Sequence, residues 1–188
     1  MCQFFSGIIT KNNKKCLFLW ESDSHETIKE ENKLKDEKLP PDFVPVELTP
    51  PDGNLAEMDL SKWVFRTDLD TIPDWYDEDK ARKLTEKALQ EFIKEKFLVN
   101  AKVDTVENKN YKAVINSKIG TLRNSNVGVM WESSNVGEMW GSSKVGEMRE
   151  SSNVGEMRNG ATAVKYEDEW IVYTPARTVK TTSVGEKD

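Results

Sequence analysis

The sequence has few of the residues on which disulfide-bonded domains, membrane proteins and most enzymes depend. Its 188 residues include two cysteines, Cys2 and Cys16, and one histidine, His25. Two cysteines cannot build the disulfide framework of a small secreted domain. No apolar run approaches the roughly 20 residues of a membrane-spanning helix, and no basic stretch precedes the apolar start, so no secretory signal is expected. These absences favour a soluble protein of the reducing cytoplasm that has no membrane partner.

Basic residues are also too few for a general nucleic-acid-binding protein. The formal charge is −6, from 27 Lys and Arg against 33 Asp and Glu. Residues 1–100 carry 15 basic and 21 acidic side chains, whereas residues 101–188 carry 12 of each, so all the excess acidity lies in the first half. Because nucleic-acid binding needs a basic face, we expect no nucleic-acid partner.

The first segment, residues 1–98, has the apolar pattern of an α+β domain. FFSGII at 4–9 and CLFLW at 16–20 predict a hairpin whose turn, TKNNKK, contains two asparagines that tolerate positive φ. Both faces of the hairpin are apolar, so the sheet should be covered on both sides. Strands are also predicted at 43–48 and 62–67. Pro45 favours an edge position or a bulge for the first of these.

Two helices complete this domain. SDSHETIKEENKL begins the first, with Ser22, Asp23 or Ser24 as its N-cap. The segment 77–97 predicts the second, because its apolar residues share one face and its first turn is acidic. That face contains Ala81, Leu84, Ala88, Phe92 and Ile93, with Leu89 and Phe97 beside it. The predicted order is β-β-α-β-β-α with a mostly antiparallel sheet.

The second segment, residues 99–162, repeats a phrase of nine residues. Its valines and methionines recur at this period, each Met three residues after its Val: Val127, Val136, Val145, Val154 and Met130, Met139, Met148, Met157. Ile119 and Leu122 begin the same phrase, but Val127 follows Ile119 after eight residues instead of nine. Val103 and Val106 resemble an earlier copy. A fixed short period predicts a solenoid, in which no single unit buries its apolar side alone.

Chain length decides how many units make one turn of this solenoid. Nine residues have a contour of roughly 30 Å, which two crossings between sheets about 10 Å apart would nearly exhaust. Two units, or about 18 residues, can close a turn. Val and Met then point inward, the Gly between them permits a bend, and SSN forms the corner. Residues 99–118 should cover the first coil. In the C-terminal segment, residues 163–188, AVKYEDEWIVYTP at 163–175 should form two strands joined by a Glu167–Glu169 turn, which close or extend the other end before a short tail.

An 18-residue turn places each residue beside its counterpart two units later. Trp131 should then stack on Arg149, and Trp140 on Arg158, as cation–π pairs on opposite walls. These four side chains should form exposed ladders, with Glu138, Glu147 and Glu156 as an acidic row. The rows either stiffen the solenoid or form a binding surface, because Trp and Arg are typical interface anchors.

Candidate catalytic groups are few, and no cofactor or metal site is expected. Removal of Met1 would leave Cys2 with its own amine as a base, and His25 could be a base for Cys2 or an ordinary residue of a helix's first turn. The start is faintly similar to that of class II glutamine amidotransferases. Asp68, Asp70 and Asp74 lack the Gly and terminal Glu of an EF-hand loop. We assign Cys2, His25 and this loop structural roles.

The whole pattern resembles uncharacterised phage and gut-bacterial proteins that join an N-terminal MCxFxSxI…DSHE domain to NSxVxxMW nonapeptides. The matching residues are Met1, Cys2, Phe4, Ser6, Ile8, Asp23, Ser24, His25, Glu26 and the units from Asn126 to Arg158. The resemblance implies a phage or mobile-element origin. The expected function is a non-enzymatic interaction protein that binds and modulates a host protein or complex, such as a defence system, in the host cytoplasm. The alternatives are an enzyme that uses Cys2, with the solenoid for assembly, and a structural protein that assembles through the solenoid ends. Because the solenoid is short, we also expect it either to dock onto the N-terminal domain or to form a homodimer through its C-terminal end.

Overall fold

The computed structural model describes residues 5–35, 41–166, 170–175 and 178–181. Its contacts divide the chain into two compact units, Met1–Lys94 and Glu95–Asp188. The predicted α+β unit followed by a β-solenoid is confirmed. Cys2 and the Glu167–Glu169 turn lie outside the described residues.

The N-terminal unit contains one antiparallel sheet in the order β2-β1-β3-β4. Its strands are β1 (Phe5–Thr10), β2 (Cys16–Leu17), β3 (Phe43–Thr49) and β4 (Val64–Thr67). Asn12 and Asn13 have positive φ at the predicted hairpin turn. Two helices follow the predicted order, α1 (His25–Glu31) and α2 (Glu78–Lys96). In the part of the chain that the structure describes, neither helix is long and apolar enough to cross a bilayer.

Both faces of β1 are buried, as its sequence predicts. Ile8 contacts Ile28 of α1, and Ile9 lies in a separate cluster with Ala81 of α2. Ser24 is the N-cap of α1 and accepts a hydrogen bond from the Thr27 N–H. In α2, Ala81, Ala88 and Phe92 are buried as predicted. Leu84 is only half-buried, and Leu89 and Thr85 lie fully inside, so the buried face is rotated from the predicted one.

The prediction for Pro45 is wrong, because β3 lies between β1 and β4 and its register is continuous. The ladder of β4 ends at Thr67, opposite Val46. Beyond it, the Asp68 N–H donates to the Pro45 carbonyl at 2.9 Å. In an antiparallel pair a residue's N and O point to the same neighbour. Pro45 has no N–H, and the side on which it would have donated faces a position where β4 has already ended. An interior strand can therefore hold this proline.

The second unit is a solenoid with two walls of parallel strands. We call wall A the strands β5 (Phe97–Val99), β7 (Asn110–Ile115), β9 (Asn126–Trp131), β11 (Lys144–Met148) and β13 (Thr162–Tyr166). Wall B contains β6 (Lys102–Glu107), β8 (Lys118–Arg123), β10 (Asn135–Trp140) and β12 (Asn153–Met157). Wall A continues into β14 (Trp170–Tyr173) and β15 (Thr178–Thr181), which pair antiparallel. The strand–turn–strand prediction for 163–175 is thus confirmed for its two strands.

The turn of the solenoid lengthens along the chain. Lys102 lies beside Lys118, Lys118 beside Asn135, and Asn135 beside Asn153, so successive turns of wall B take 16, 17 and 18 residues. The earlier turns are shorter because their corners have two residues instead of three. The prediction that residues 99–118 cover the first coil is wrong, because this segment itself forms the first coil. Val103 lies beside Ile119, and Val106 beside Leu122.

The interior of the solenoid is the predicted double file of Val and Met. Val127 lies beside Val145 on wall A, and Val136 beside Val154 on wall B. Val127, Val136 and Met139 belong to one buried cluster that draws on both walls. The Gly between each Val and Met lies against the preceding coil, so that a Cβ on Gly137 would be 2.7 Å from the Gly120 carbonyl oxygen. Gly is absent at this position of β6, the first strand of wall B, where Asp104 stands.

Each corner has one residue of positive φ and, in five corners, a buried serine. The positive-φ residues include Asn100, Asn108, Asn116, Asn124, Glu132, Gly141, Glu150 and Asn159. The buried serines are Ser117, Ser125, Ser134, Ser143 and Ser152. Their hydroxyls satisfy backbone groups of two coils: the Ser134 Oγ accepts from the Ser117 N–H at 3.3 Å and lies 2.7 Å from the Trp131 carbonyl oxygen, to which it donates.

Substitution of Ser134 by alanine should destabilise the solenoid by about 1–2 kcal/mol, since it leaves a buried N–H without its acceptor. Ser133 provides a matched control in the same corner, because its side chain is exposed. Ser133→Ala should change the free energy of unfolding by less than about 0.5 kcal/mol. Urea denaturation followed by circular dichroism measures both. Equal effects of the two substitutions would show that the buried hydroxyl has no special role.

Candidate interaction surface

The side chains at the last outward position of the repeat units form the two predicted cation–π pairs. The Arg149 guanidinium lies 4.7 Å from the centre of the Trp131 ring on wall A. The Arg158 guanidinium lies 4.8 Å from the Trp140 ring on wall B. Trp131 and Trp140 occupy different walls, which confirms that a turn consists of two units.

The glutamate two residues before each of these positions holds its side chain. Glu138 accepts from the Trp140 Nε1–H at 2.8 Å. Glu147 pairs with Arg149, and Glu156 with Arg158, each at 2.7 Å. The bond to Glu156 raises the pKa of Arg158 above its ordinary value. The predicted single acidic row is wrong: Glu138 lies beside Glu156 on wall B, whereas Glu147 lies on wall A beside Val129.

Trp131 is not part of an exposed ladder, contrary to prediction. It is 8% exposed, and its Nε1–H is buried without an acceptor among the described residues. Its unit is the one that has Val129 where the next three have Glu138, Glu147 and Glu156, so it lacks the acceptor that Trp140 has. Trp140 is half-buried, and Arg149 and Arg158 are exposed.

The outward face of the first coils of wall A is apolar around Trp131. Leu98, Val114 and Met130 point inward, so the residues on either side of each point outward. These outward residues form two rows in register, Phe97–Ala113–Val129 and Val99–Ile115–Trp131. Phe97, Ala113 and Ile115 are at most 5% exposed. A buried face is not available to a partner, so this part of wall A is excluded from the candidate surface.

The exposed face of wall B therefore forms the candidate surface. It contains Arg123, Glu138, Trp140, Glu156 and Arg158, in which Arg123 lies beside Trp140 in register. The last two strands of wall B begin with asparagine, and Asn135 donates to Asn153. The surface offers one aromatic ring, two guanidinium groups and two carboxylates within three neighbouring strands.

Wall B ends at an edge strand. Within the described ranges, no strand pairs with the far edge of β12, whereas wall A continues through β13, β14 and β15. The sequence of β12, NVGEM at 153–157, is identical to that of β10 at 135–139, which has neighbours on both sides. Val154 and Met157 are correspondingly only half-buried.

The two candidate catalytic residues are not shown together. His25 is the first residue of α1, and its Nε2 lies 3.1 Å from the Val46 carbonyl oxygen. Cys2 lies outside the described residues. Burial raises the pKa of the other thiol, Cys16, to about 12, against weaker opposing hydrogen bonds. Cys16 is therefore neutral at physiological pH and poorly suited to act as a nucleophile.

No protein-family model, curated protein or solved structure shows a significant match to this chain.

Proposed function

We propose that this chain is a non-enzymatic interaction protein that binds and modulates another protein through wall B of its solenoid. The resemblance of its sequence to phage proteins favours a host protein or complex as that partner. The observation that carries the proposal is the far edge of β12. Among the described residues, a strand with the sequence of an interior strand lies at a sheet edge, and it has no proline, no bulge and no inward-pointing charge to protect that edge.

A partner strand that added to β12 would lie beside the exposed face of wall B. Backbone hydrogen bonds from such an added strand supply affinity, and neighbouring side chains supply selectivity. Arg158 and Glu156 stand at this last coil, and the Arg158–Trp140 pair continues onto the coil before it. We expect the partner to present an edge strand with polar or acidic side chains that reach Arg158.

Assembly into head-to-tail filaments is less compatible with the geometry. A strand stacked in solenoid register needs Gly at its third position, because a Cβ there would meet the carbonyl oxygen of the coil beneath at 2.5–2.7 Å. The first strand of wall B has Asp104 at this position. The β6 strand of a second copy therefore cannot continue wall B beyond β12 in register. A homodimer through two β12 edges is not blocked in this way and is one outcome of the test below.

Replacement of Val154 by lysine should abolish binding at the β12 edge, since an inward-pointing charge prevents edge pairing. The control is Asn126→Lys, which adds the same charge at an exposed position where the repeat already has Lys118 and Lys144. The chain is immobilised and exposed to host lysate, and proteins captured by wild type and by Asn126→Lys but not by Val154→Lys are identified. Light scattering on the purified chain shows whether a homodimer is lost in the same variant.

Cys2→Ala separates this proposal from the enzyme alternative. We expect the variant to capture the same partner with unchanged affinity, because Cys2 is assigned no role in binding. Circular dichroism must show that Val154→Lys remains folded. A partner captured equally by wild type and by folded Val154→Lys would contradict the role of β12, and loss of the biological effect in Cys2→Ala with capture intact would favour the enzyme.

A further inference from the structure

Three side chains with metal-ligating atoms converge in the N-terminal unit, from three separate elements. His25 begins α1, Glu47 lies in β3, and Asp68 follows the last residue of β4. One ligand atom of each lies within 4.8 Å of those of the other two. We propose that His25, Glu47 and Asp68 bind a divalent transition-metal ion of the zinc type. This site is independent of the solenoid and of the function proposed for it.

The hydrogen bond of His25 to the backbone selects the nitrogen that can bind a metal. The Val46 carbonyl oxygen only accepts, so Nε2 at 3.1 Å from it carries the hydrogen. The neutral ring then has its lone pair on Nδ1, which lies 3.4 Å from Asp68 Oδ2. A lone pair and a carboxylate oxygen repel each other unless a proton or a metal ion lies between them. Metal-binding histidines typically donate their second N–H to a backbone carbonyl or a carboxylate.

The separation of His25 and Asp68 suits a small divalent ion. Two ligand atoms at about 2.0–2.1 Å from a tetrahedral zinc ion are about 3.4 Å apart, which agrees with the separation of His25 Nδ1 and Asp68 Oδ2. The His25 side chain is 10% exposed and the Asp68 side chain 71%. The imidazole is therefore held in place while the carboxylate can adjust to the ion. One imidazole and two carboxylates leave a fourth position open to water, as in catalytic rather than structural zinc sites.

This site is only weakly indicated by the sequence. His25 and Asp68 stand 43 residues apart, and the acidic stretch after β4 has no metal-binding spacing. The antiparallel pairing of β3 with β4 places Asp68 beyond the end of the ladder, near Pro45, and α1 returns His25 to the carbonyl of Val46. The alternative to a metal ion between His25 Nδ1 and Asp68 Oδ2 is a proton, which would make these two side chains an imidazolium–carboxylate ion pair.

A zinc titration of the full-length chain, produced without a histidine tag and labelled with ¹⁵N-histidine, tests the proposal. His25 is the only histidine, so the spectrum reports one imidazole. We expect zinc to shift the Nδ1 resonance to the metal-bound range while Nε2 remains protonated. Isothermal titration calorimetry should show at least a tenfold loss of zinc affinity in Asp68→Asn and in His25→Gln.

Asp70→Asn is the matched control, because it removes an exposed carboxylate two residues from Asp68. Its zinc affinity should equal that of wild type. Asp68→Asn changes an exposed side chain, so the test does not depend on the folding of His25→Gln, and circular dichroism verifies both variants. The proposal is overturned if zinc does not bind, if Asp68→Asn binds it with wild-type affinity, or if Cys2→Ala abolishes binding while Nδ1 never shifts.

Discussion

Replacement of Met139 by alanine is expected to destabilise the solenoid by about 2–5 kcal/mol, the range found when a fully buried Met, Leu or Ile is truncated. Met139 is 0% exposed. In wall B it lies between Leu122 and Met157 in register, and Met130 and Met148 of wall A belong to the same cluster. Since neighbouring coils are fixed by their backbone hydrogen bonds, the cavity cannot readily collapse. Urea denaturation followed by circular dichroism measures the loss.

Met157→Ala is the matched control, because it removes the same atoms from the same position of the next coil. Met157 is half-buried in the last strand of wall B. Its truncation leaves a groove open to solvent rather than a closed cavity, so we expect a loss of about 1 kcal/mol. Equal losses at Met139 and Met157 would indicate that the last coil is covered as fully as the interior ones.

The repeat period was sufficient to predict the turn of the solenoid and its contacts. The recurrence of Val and Met fixed which side chains point inward, and the contour length of nine residues excluded a one-unit turn. Together they predicted that Trp131 contacts Arg149 and that Trp140 contacts Arg158, as the structure shows. Such contacts are predictable because a solenoid relates distant residues by a constant offset.

The earlier coils were predicted only in part, because their inward positions vary: Val103 and Val106 were assigned to an earlier copy, but residues 99–118 were expected to cover the first coil. Leu98, Val106, Val114 and Leu122 replace the Met that marks the later units. A different signal was present: Asn100, Asn108, Asn116 and Asn124 recur every eight residues, and each has positive φ at a corner. Asparagine tolerates this conformation better than most residues. The corner positions, rather than the core positions, thus record the shorter first turns.

The exposure of the solenoid's outer positions could not be predicted from the period alone. Trp131 and Trp140 occupy the same position of their units, yet Trp131 is buried within an apolar outer patch and Trp140 is hydrogen-bonded to Glu138. Exposure depends on what lies beside each coil, which the repeat does not record. The same limit applies to His25, Glu47 and Asp68, which only the sheet topology brings together.

The glycines of the repeat should respond to alanine with opposite signs. Gly137 and Gly160 both have φ outside the left-handed region, where Gly→Ala ordinarily stabilises a protein by about 0.4–1 kcal/mol through the unfolded chain. A Cβ on Gly137 would lie 2.7 Å from the Gly120 carbonyl oxygen. Both groups are backbone held in the wall B ladder, so neither can move aside. Gly137→Ala should therefore destabilise the solenoid by about 3 kcal/mol, at the upper end of the usual range for overpacking.

Gly160→Ala is the counterpart, because its new Cβ would lie 3.5 Å from the nearest atom, the Gly141 carbonyl oxygen. This is an ordinary van der Waals contact, so we expect a gain of about 0.5 kcal/mol. Thermal and urea denaturation of the two variants beside wild type should show one transition moved down and the other moved slightly up. A Gly137→Ala variant as stable as wild type would contradict this prediction. It would show that adjacent coils can move apart to admit a Cβ without loss of stability, and that their close stacking does not require glycine here.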